Sequence, residues 1–194
     1  DFSLDNICQE YPGSDIGDYR VSCLSVQNPD GSYSADFRYE SHEIRQGKYA
    51  LSGLPAAYDE TGMALSLVIQ MRDPVTGLTL RLYYGVFEKE DVITRSAEIL
   101  NETAGTVQLH KALSACLDIP FGDWELIHFP GRHCMERQTE RKKLMDGIQK
   151  ISSRRGSSSH QQILLPYWLC RRHRRITGNV WAPCWCIPEA SRSI

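Results

Sequence analysis

The chain has 194 residues, of which 41% are apolar and 24% are charged, with a formal net charge of -2. This size and composition suit one soluble globular domain with a sizeable core, and they exclude a disordered or collagen-like chain. The slightly acidic balance argues against a nucleic-acid or anionic membrane partner, since such surfaces need a basic excess. No apolar run approaches the roughly 18 residues that span a bilayer.

The first half of the chain carries the pattern of an antiparallel sandwich. Between residues 17 and 120, apolar side chains recur with period two, and turn residues interrupt them at regular intervals. Residues 65–71 and 78–84 are predicted to form one hairpin through Asp73-Pro74-Val75-Thr76-Gly77. In that turn, proline fixes φ early and glycine allows a positive φ at the end.

Further strands follow in order. Asn28-Pro29-Asp30-Gly31 predicts a second reversal, between strands at 21–26 and 33–39. Three more strands are predicted at 92–100, 106–117 and 124–129, with a reversal at 101–105. The charge-dense segment 136–150 fits either a helix or a long polar hairpin. The sequence therefore predicts one all-β unit with antiparallel strands.

The cysteines of the body indicate a compartment. They are widely spaced and form no C-x-x-C pair, which is typical of isolated thiols in a reducing environment, so we expect a cytoplasmic protein. They lie at positions 8, 23, 116 and 134. The chain opens on Asp1 without an initiator methionine or a leader pattern, so we expect it to be a fragment.

A self-contained catalytic site is not predicted. Glycosidase chemistry needs two carboxylates facing each other across a sugar. The candidate acids fall in turns or at strand ends, where we interpret them as solvated loop charges: Asp15 and Asp18, Asp59 and Glu60, and Glu88, Glu90 and Asp91. Nucleophile-elbow, zincin, Walker and dinucleotide motifs are absent from the sequence, so no catalytic residue and no cofactor are expected.

Two loop clusters are candidate binding sites. Arg154-Arg155-Gly156, followed by three serines and His160, fits an anion-binding nest or a polar loop held by its arginines. The segment 131–137 places His133 after a glycine and beside charges of both signs. A surface histidine is the default interpretation there.

The tail after Gln162 has a different composition, with three of the four tryptophans and three of the seven cysteines of the chain. Four of its residues are potential zinc ligands, Cys170, His173, Cys184 and Cys186, but their spacing matches no common structural zinc pattern. Its arginines and tryptophans resemble a nucleic-acid arm only weakly. We therefore expect neither metal nor nucleic acid here.

Several motifs in order resemble the N-terminal domain of the family 36 α-galactosidases. They are Gln9-Glu10-Tyr11-Pro12, Gly17-Asp18-Tyr19-Arg20, Gly53-Leu54-Pro55-Ala56, Asp73 to Leu78, Tyr84 to Glu88, Asp91 to Ser96, Met135-Glu136-Arg137 and Ser153 to Gln161. The resemblance covers roughly residues 2 to 162. It implies a β-supersandwich, incomplete here at both ends, that precedes a catalytic barrel carrying two aspartates.

The resemblance also implies a reaction and partners. The reaction is retaining hydrolysis of terminal α-D-galactosyl residues in galactosides such as melibiose and raffinose. In tetrameric members, this domain assembles the homotetramer and closes the mouth of the substrate site. A family tryptophan that reaches substrate aligns with Gly131-Arg132-His133, so His133 is the predicted substrate-binding residue.

The family pattern after Ser-Ser-His-Gln continues as Asn-Pro-Phe, whereas this chain continues as Ile163-Leu164-Leu165. Back-translation with one restored base recovers the family pattern. We therefore predict that residues 1–162 are the sandwich domain and that residues 163–194 are an out-of-frame, poorly ordered tail.

Two other functions are compatible with the sequence. A free-standing carbohydrate-binding sandwich would expose a platform of aromatic rings, but Tyr83, Tyr84 and Phe87 fall within strand patterns that favour a core. A purely structural oligomerisation module is the other alternative. Binding of galactose or raffinose separates the two.

Overall fold

The computed structural model describes residues 7–13, 21–53, 57–118, 123–136, 138–151, 162–170 and 180–181. Within these ranges, all of the regular secondary structure is β-strand. The same ranges contain no helix that is long and apolar enough to cross a bilayer. The strands are β1 (Leu24–Gln27), β2 (Arg38–Gln46), β3 (Leu65–Arg72), β4 (Thr79–Phe87), β5 (Val92–Leu100), β6 (Gln108–Ala112), β7 (Trp124–Pro130), β8 (Glu140–Lys143), β9 (Gln162–Cys170) and β10 (Val180–Trp181). The predicted all-β class is confirmed.

The chain divides into two compact units. The first comprises Asp1–Leu51 and Ala56–Ile119, and the second comprises Ser52–Pro55 and Pro120–Ile194. A four-stranded antiparallel sheet in the order β2-β3-β4-β5 and a two-stranded sheet of β1 and β6 form the first unit. The second unit is built on a four-stranded sheet in the order β10-β9-β7-β8.

The hairpin predicted from the sequence is confirmed. Leu67 lies opposite Tyr84 and Met71 opposite Leu80 in the β3–β4 register. The turn closes through the Gly77 amide, which donates to the Asp73 carbonyl at 2.9 Å. Gly77 adopts a φ of 82°, the left-handed conformation for which glycine was expected.

The core of the first unit lies between its two sheets. Leu24 and Val26 alternate with less buried residues along β1, and they pack with Ala35 and Leu78. Partly buried side chains surround this cluster: Tyr11, Phe37, Ile99 and Val107. Period-two alternation in β1 therefore turns one face of a short strand toward the larger sheet.

The predicted pairing of the first two strands is wrong. The reversal at Asn28 forms, since the Gly31 amide donates to the Asn28 carbonyl at 2.9 Å, but β1 pairs with β6. The Asn28 side-chain amide donates to the Ser34 carbonyl at 2.7 Å, within a stretch that contains no strand before residue 38. The next strand, β2, starts at Arg38 and ends at Gln46, whereas we predicted 33–39. All nine of its residues are exposed, so the strand has no buried face. Without a buried face, the sequence does not show the apolar alternation by which a strand is predicted.

Segment 136–150 contains strand β8 and, within its described residues, no helix, so the helical alternative is wrong. Strand β8 forms a hairpin with β7, which precedes the segment, and not a hairpin within it. The strand predicted at 106–117 is shorter, at Gln108–Ala112.

Strand β9 lies inside the second sheet and begins where the predicted tail begins. Its register with β7 shifts, because Ile127 pairs with Tyr167 and Phe129 with Ile163. Pro166 falls in this shifted stretch. A proline has no N–H for the ladder, and interior strands accommodate it at such irregularities.

Candidate functional site

The predicted substrate residue, His133, lies on the loop between β7 and β8. These strands pair from Glu125 opposite Lys143 to His128 opposite Glu140. The Gln138 amide donates to the Pro130 carbonyl at 2.9 Å and closes the base of the loop. Two hydrogen-bonded strands therefore carry the loop and hold both of its ends.

His133 occupies a tight turn at the tip of this loop. The Met135 amide donates to the Arg132 carbonyl at 2.8 Å, and these two residues form an isolated bridge. Cys134 adopts a φ of 60°, as the second central residue of such a turn requires. The turn leaves the His133 side chain exposed to solvent.

Neighbouring side chains fix the turn from both sides. The Glu136 carboxylate accepts from the Cys134 amide at 2.9 Å. The Arg132 guanidinium contacts the Met135 sulfur through Nη2 at 2.9 Å and Nε at 3.1 Å. An imidazole held on such a turn can donate to or accept from a sugar hydroxyl, or lie against the apolar face of a sugar.

A buried histidine that the sequence analysis missed lies below this loop. His128 is 7% exposed, and its Nε2 lies 3.2 Å from the Glu140 carboxylate. Glu140 also pairs with Lys142 at 3.0 Å, and Lys142, with a smaller contribution from His128, lowers the pKa of that carboxyl. The Nδ1 atom of His128 has no hydrogen-bond partner among the described residues. Alternation with buried Leu126 was the signal that placed His128 inward.

The candidate carboxylates have structural surroundings. Asp59 accepts from the Met63 and Ala64 amides at 3.1 Å each and so organises a turn. Glu88, Glu90 and Asp91 lie exposed around the β4–β5 turn, where Asp91 has a φ of 52°. Within the part of the chain that the structure describes, no group of three or more His, Cys, Asp or Glu side chains is arranged to hold a metal ion.

Other candidates cannot be placed. Asp15, Asp18, the nest at 154–156, His160, His173, Cys184 and Cys186 lie outside the described residues.

Three segments quoted for the family resemblance meet in the first unit. The Tyr84 hydroxyl donates to Glu10 at 2.5 Å, and Arg95 forms an ion pair with the same carboxylate. Burial, followed by the neighbouring Glu10 carboxylate, raises the pKa of the Tyr84 phenol. These contacts anchor the N-terminal segment on β4 and β5, so the segments have a structural role here.

The fold and the loop define an antiparallel β-sandwich domain that carries His133 at the tip of the β7–β8 loop. The family model described as the glycosyl hydrolase family 36 N-terminal domain matches residues 1–183. The chain belongs to this family.

Its relatives are much longer proteins. The chain is 45% identical over 160 residues to the bifunctional alpha-galactosidase/sucrose kinase AgaSK of Mediterraneibacter gnavus, which covers 82% of this chain and 17% of the relative. It is 44% identical over 162 residues to the alpha-galactosidase AgaA of Geobacillus stearothermophilus, and this match covers 83% of this chain and 22% of the relative. The chain thus spans about a fifth of the length of these curated relatives.

Solved structures share the fold. The structure superimposes on AgaA from Geobacillus stearothermophilus with a TM-score of 0.83 at 42% identity, covering 88% of this chain and 24% of that one. It superimposes on the alpha-galactosidase from Lactobacillus brevis with a TM-score of 0.83 at 36% identity, covering 87% and 23%.

Proposed function

We propose that this chain supplies the N-terminal domain of an α-galactosidase that hydrolyses terminal α-D-galactosyl residues with retention. The observation that carries this proposal is its identity of 44–45% to two such proteins over four-fifths of the chain. Structures of AgaA variants in complex with stachyose and with raffinose support oligosaccharides of this type as the substrate class.

Catalysis belongs to a part of the enzyme outside this chain. The candidate acids that the structure describes organise a turn or lie exposed. Positioning without an acid and a nucleophile gives little rate. The isolated chain is therefore inactive toward an aryl α-galactoside. Activity above a buffer blank that a galactose-mimicking inhibitor abolishes would contradict this.

The domain acts by shaping the substrate site and by assembling the enzyme. His133 contacts the sugar from the tip of the β7–β8 loop, and the full enzyme is a homotetramer. The expected compartment is the cytoplasm, in line with the thiols of the body.

A graft tests the proposal. Residues 1–162 replace the matching N-terminal segment of AgaA from Geobacillus stearothermophilus, and unaltered AgaA is the control. We expect a tetramer by solution mass that releases galactose from raffinose, with the α-anomer appearing first by NMR. A folded graft of the same mass that lacks activity would refute the proposed role.

We further propose that residues 163–194 are read out of frame. Pro166 in the interior strand β9 supports this, because prolines are rare in such strands. The match of the family model to residue 183 and the pairing of β9 with β7 count against it. Sequencing the gene across the codons of His160 to Leu165 decides the matter. An intact single frame encoding this tail in several close relatives would exclude the frameshift.

A further inference from the structure

Strand β2 forms an edge of the four-stranded sheet in the first unit. Among the described strands it has a neighbour on one side only, which is β3. The Gly47 amide donates to the Ala64 carbonyl at 2.7 Å, so the backbone of Gly47 faces β3. Backbone groups alternate in direction along an antiparallel strand, and the β2–β3 register is regular after its shift near the start of β2. The N–H and C=O groups of His42, Ile44 and Gln46 therefore point away from β3 along the open edge.

The side chains along this edge are complementary to a second copy of the same strand. A twofold axis at Ile44, perpendicular to the sheet, places Ile44 opposite Ile44 of the second copy. The same axis places Glu43 opposite Arg45 of the second copy on both sides of the centre. Both charged side chains are more than half exposed, and Ile44 is 66% exposed. The edge thus offers two pairs of opposite charge around an apolar contact, which stabilise paired strands.

Other symmetric registers lack this complementarity. An axis at Glu43 places two carboxylates opposite each other, and an axis at Arg45 does the same with two guanidinium groups. An axis at His42 places Arg45 opposite Tyr39, where the β2–β3 register shifts, and Glu43 opposite Ser41, so neither charge has an opposite partner. The charges of β2 therefore select the register that is centred on Ile44.

The apolar contact extends a row that already crosses the sheet. Ile44 lies opposite Leu67 of β3, and Leu67 lies opposite Tyr84 of β4. Pairing at the open edge continues this row into the second copy on the same face. Natural edge strands resist such pairing when they carry charges that repel each other. The regular part of β2 instead carries one acid and one base, at positions that attract in the antiparallel pair.

We propose that β2 is the interface of a homodimer, in which two copies of this chain pair their β2 strands antiparallel around Ile44. The two four-stranded sheets then form one continuous sheet. The paired stretch is short, so the dimer is weak compared with complexes of standard interface size. The inference specifies an interface within the first unit, and it rests on this edge and not on the proposed tetramer. The graft can therefore fail while this dimer forms, and the reverse.

Sedimentation of the full chain over a range of concentrations tests the proposal, and we expect a monomer–dimer equilibrium. Glu43→Arg and Arg45→Glu should each raise the Kd of the dimer by about tenfold or more, because each change places like charges opposite each other at two symmetric positions. An equimolar mixture of the two variants should dimerise as the unaltered chain does, because opposite charges then face each other across the edge. The double variant Glu43→Arg/Arg45→Glu should also recover the dimer.

A matched control separates the β2 edge from the other edge of the same sheet. Ile44→Lys should weaken the dimer by a similar factor, since two ammonium groups then meet at the centre. Ile93→Lys should leave the dimer unchanged, because Ile93 lies on β5 and is exposed to a similar extent, at 64%. Circular dichroism of each variant checks that the chain is folded.

Three outcomes would overturn the proposal. They are a chain that stays monomeric up to about 1 mM, a dimer that the single charge reversals leave intact, and a dimer that Ile93→Lys weakens as much as Ile44→Lys. The concentration series of the unaltered chain and the double variant, which keeps one acid and one base on β2, decide the question even if a single variant fails to fold.

Discussion

Tyr84 on β4 donates a 2.5 Å hydrogen bond to Glu10, which lies 74 positions earlier in the chain. Arg95 pairs with the same carboxylate and lies directly opposite Tyr84 in the β4–β5 register. The Arg95 side chain is 15% exposed and the Glu10 side chain is 55% exposed, so the ion pair is shielded from solvent on the arginine side only. Two adjacent strands thus share one anchor for the N-terminal segment.

Removing this anchor should destabilise the chain in graded steps. Arg95→Ala breaks the Glu10 pair and the bond to the Cys116 carbonyl, and we expect a loss of about 2 kcal/mol in the free energy of unfolding. Tyr84→Phe should lose about 1 kcal/mol. Arg38→Ala is the control, because Arg38 is 71% exposed in its pair with Asp36 and should change stability by less than about 0.5 kcal/mol. Urea unfolding measures all three, and equal losses would contradict the anchor.

Asp73 should make the stability of the chain sensitive to acid. Burial raises the pKa of its carboxyl, but hydrogen bonds from the Val75, Thr76 and Asp36 amides outweigh burial and hold the pKa below its ordinary value of 3.8. The stabilisation is therefore fully present above the unfolded-state pKa, and it is lost as pH falls through the lower folded-state pKa.

Asp73→Asn tests this dependence. The asparagine side chain carries an amide nitrogen, which cannot accept, where the aspartate has an oxygen that accepts from a backbone N–H. We expect a loss of about 2 kcal/mol at pH 7 that shrinks below roughly pH 3, as measured by urea unfolding over this range. A loss that stays constant with pH would show that the carboxylate charge has no part in it.

Gly77→Ala should destabilise the β3–β4 hairpin through its backbone. An added Cβ would lie 3.7 Å from the Glu102 carbonyl oxygen, so space is available, but the φ of 82° is unfavourable for alanine. We expect a loss of about 1 kcal/mol in thermal or urea unfolding. Gly77→Asn should lose less, since asparagine tolerates this conformation better. Equal losses for both variants would point to a steric cause.

His133→Ala in the AgaA graft should raise KM about fivefold with kcat nearly unchanged. One hydrogen bond or stacking contact of this kind is worth about 1 kcal/mol, and it is similar in the ground and transition states. The control is His110→Ala, an exposed histidine whose ring lies 5.8 Å from that of Tyr33, which should alter neither parameter. A hundredfold fall in kcat at constant KM, or no change in either, would reject the assignment of His133.

The sequence predicts most of the first unit where apolar alternation coincides with turn chemistry. Leu65 to Met71 and Leu78 to Tyr84 have both, and their hairpin is confirmed. Strand β2 has neither the alternation nor the turn chemistry. All of its residues are exposed, and the strand forms through its pairing with β3. Long-range pairing of this kind, like that of β1 with β6, leaves no local signal.

Of the candidate site, the sequence predicts the loop that carries His133 but not the role of the neighbouring His128. The resemblance places His133 on a loop, and the structure places that loop on a hairpin with His133 exposed. The sequence did not single out His128, because a histidine in an apolar strand suggests a core position. Its Nδ1 atom has no partner among the described residues, and His128 lies where the register of β7 with β9 shifts.

The position of β9 between β10 and β7 has a consequence for how the gene tolerates early termination. A product that stopped at Gln162 would lack the partner of β7 and would expose a row of N–H and C=O groups along that strand. Such an open edge invites pairing with the same strand of another molecule and hence aggregation. A chain that stopped at this point should therefore aggregate more readily than the 194-residue chain.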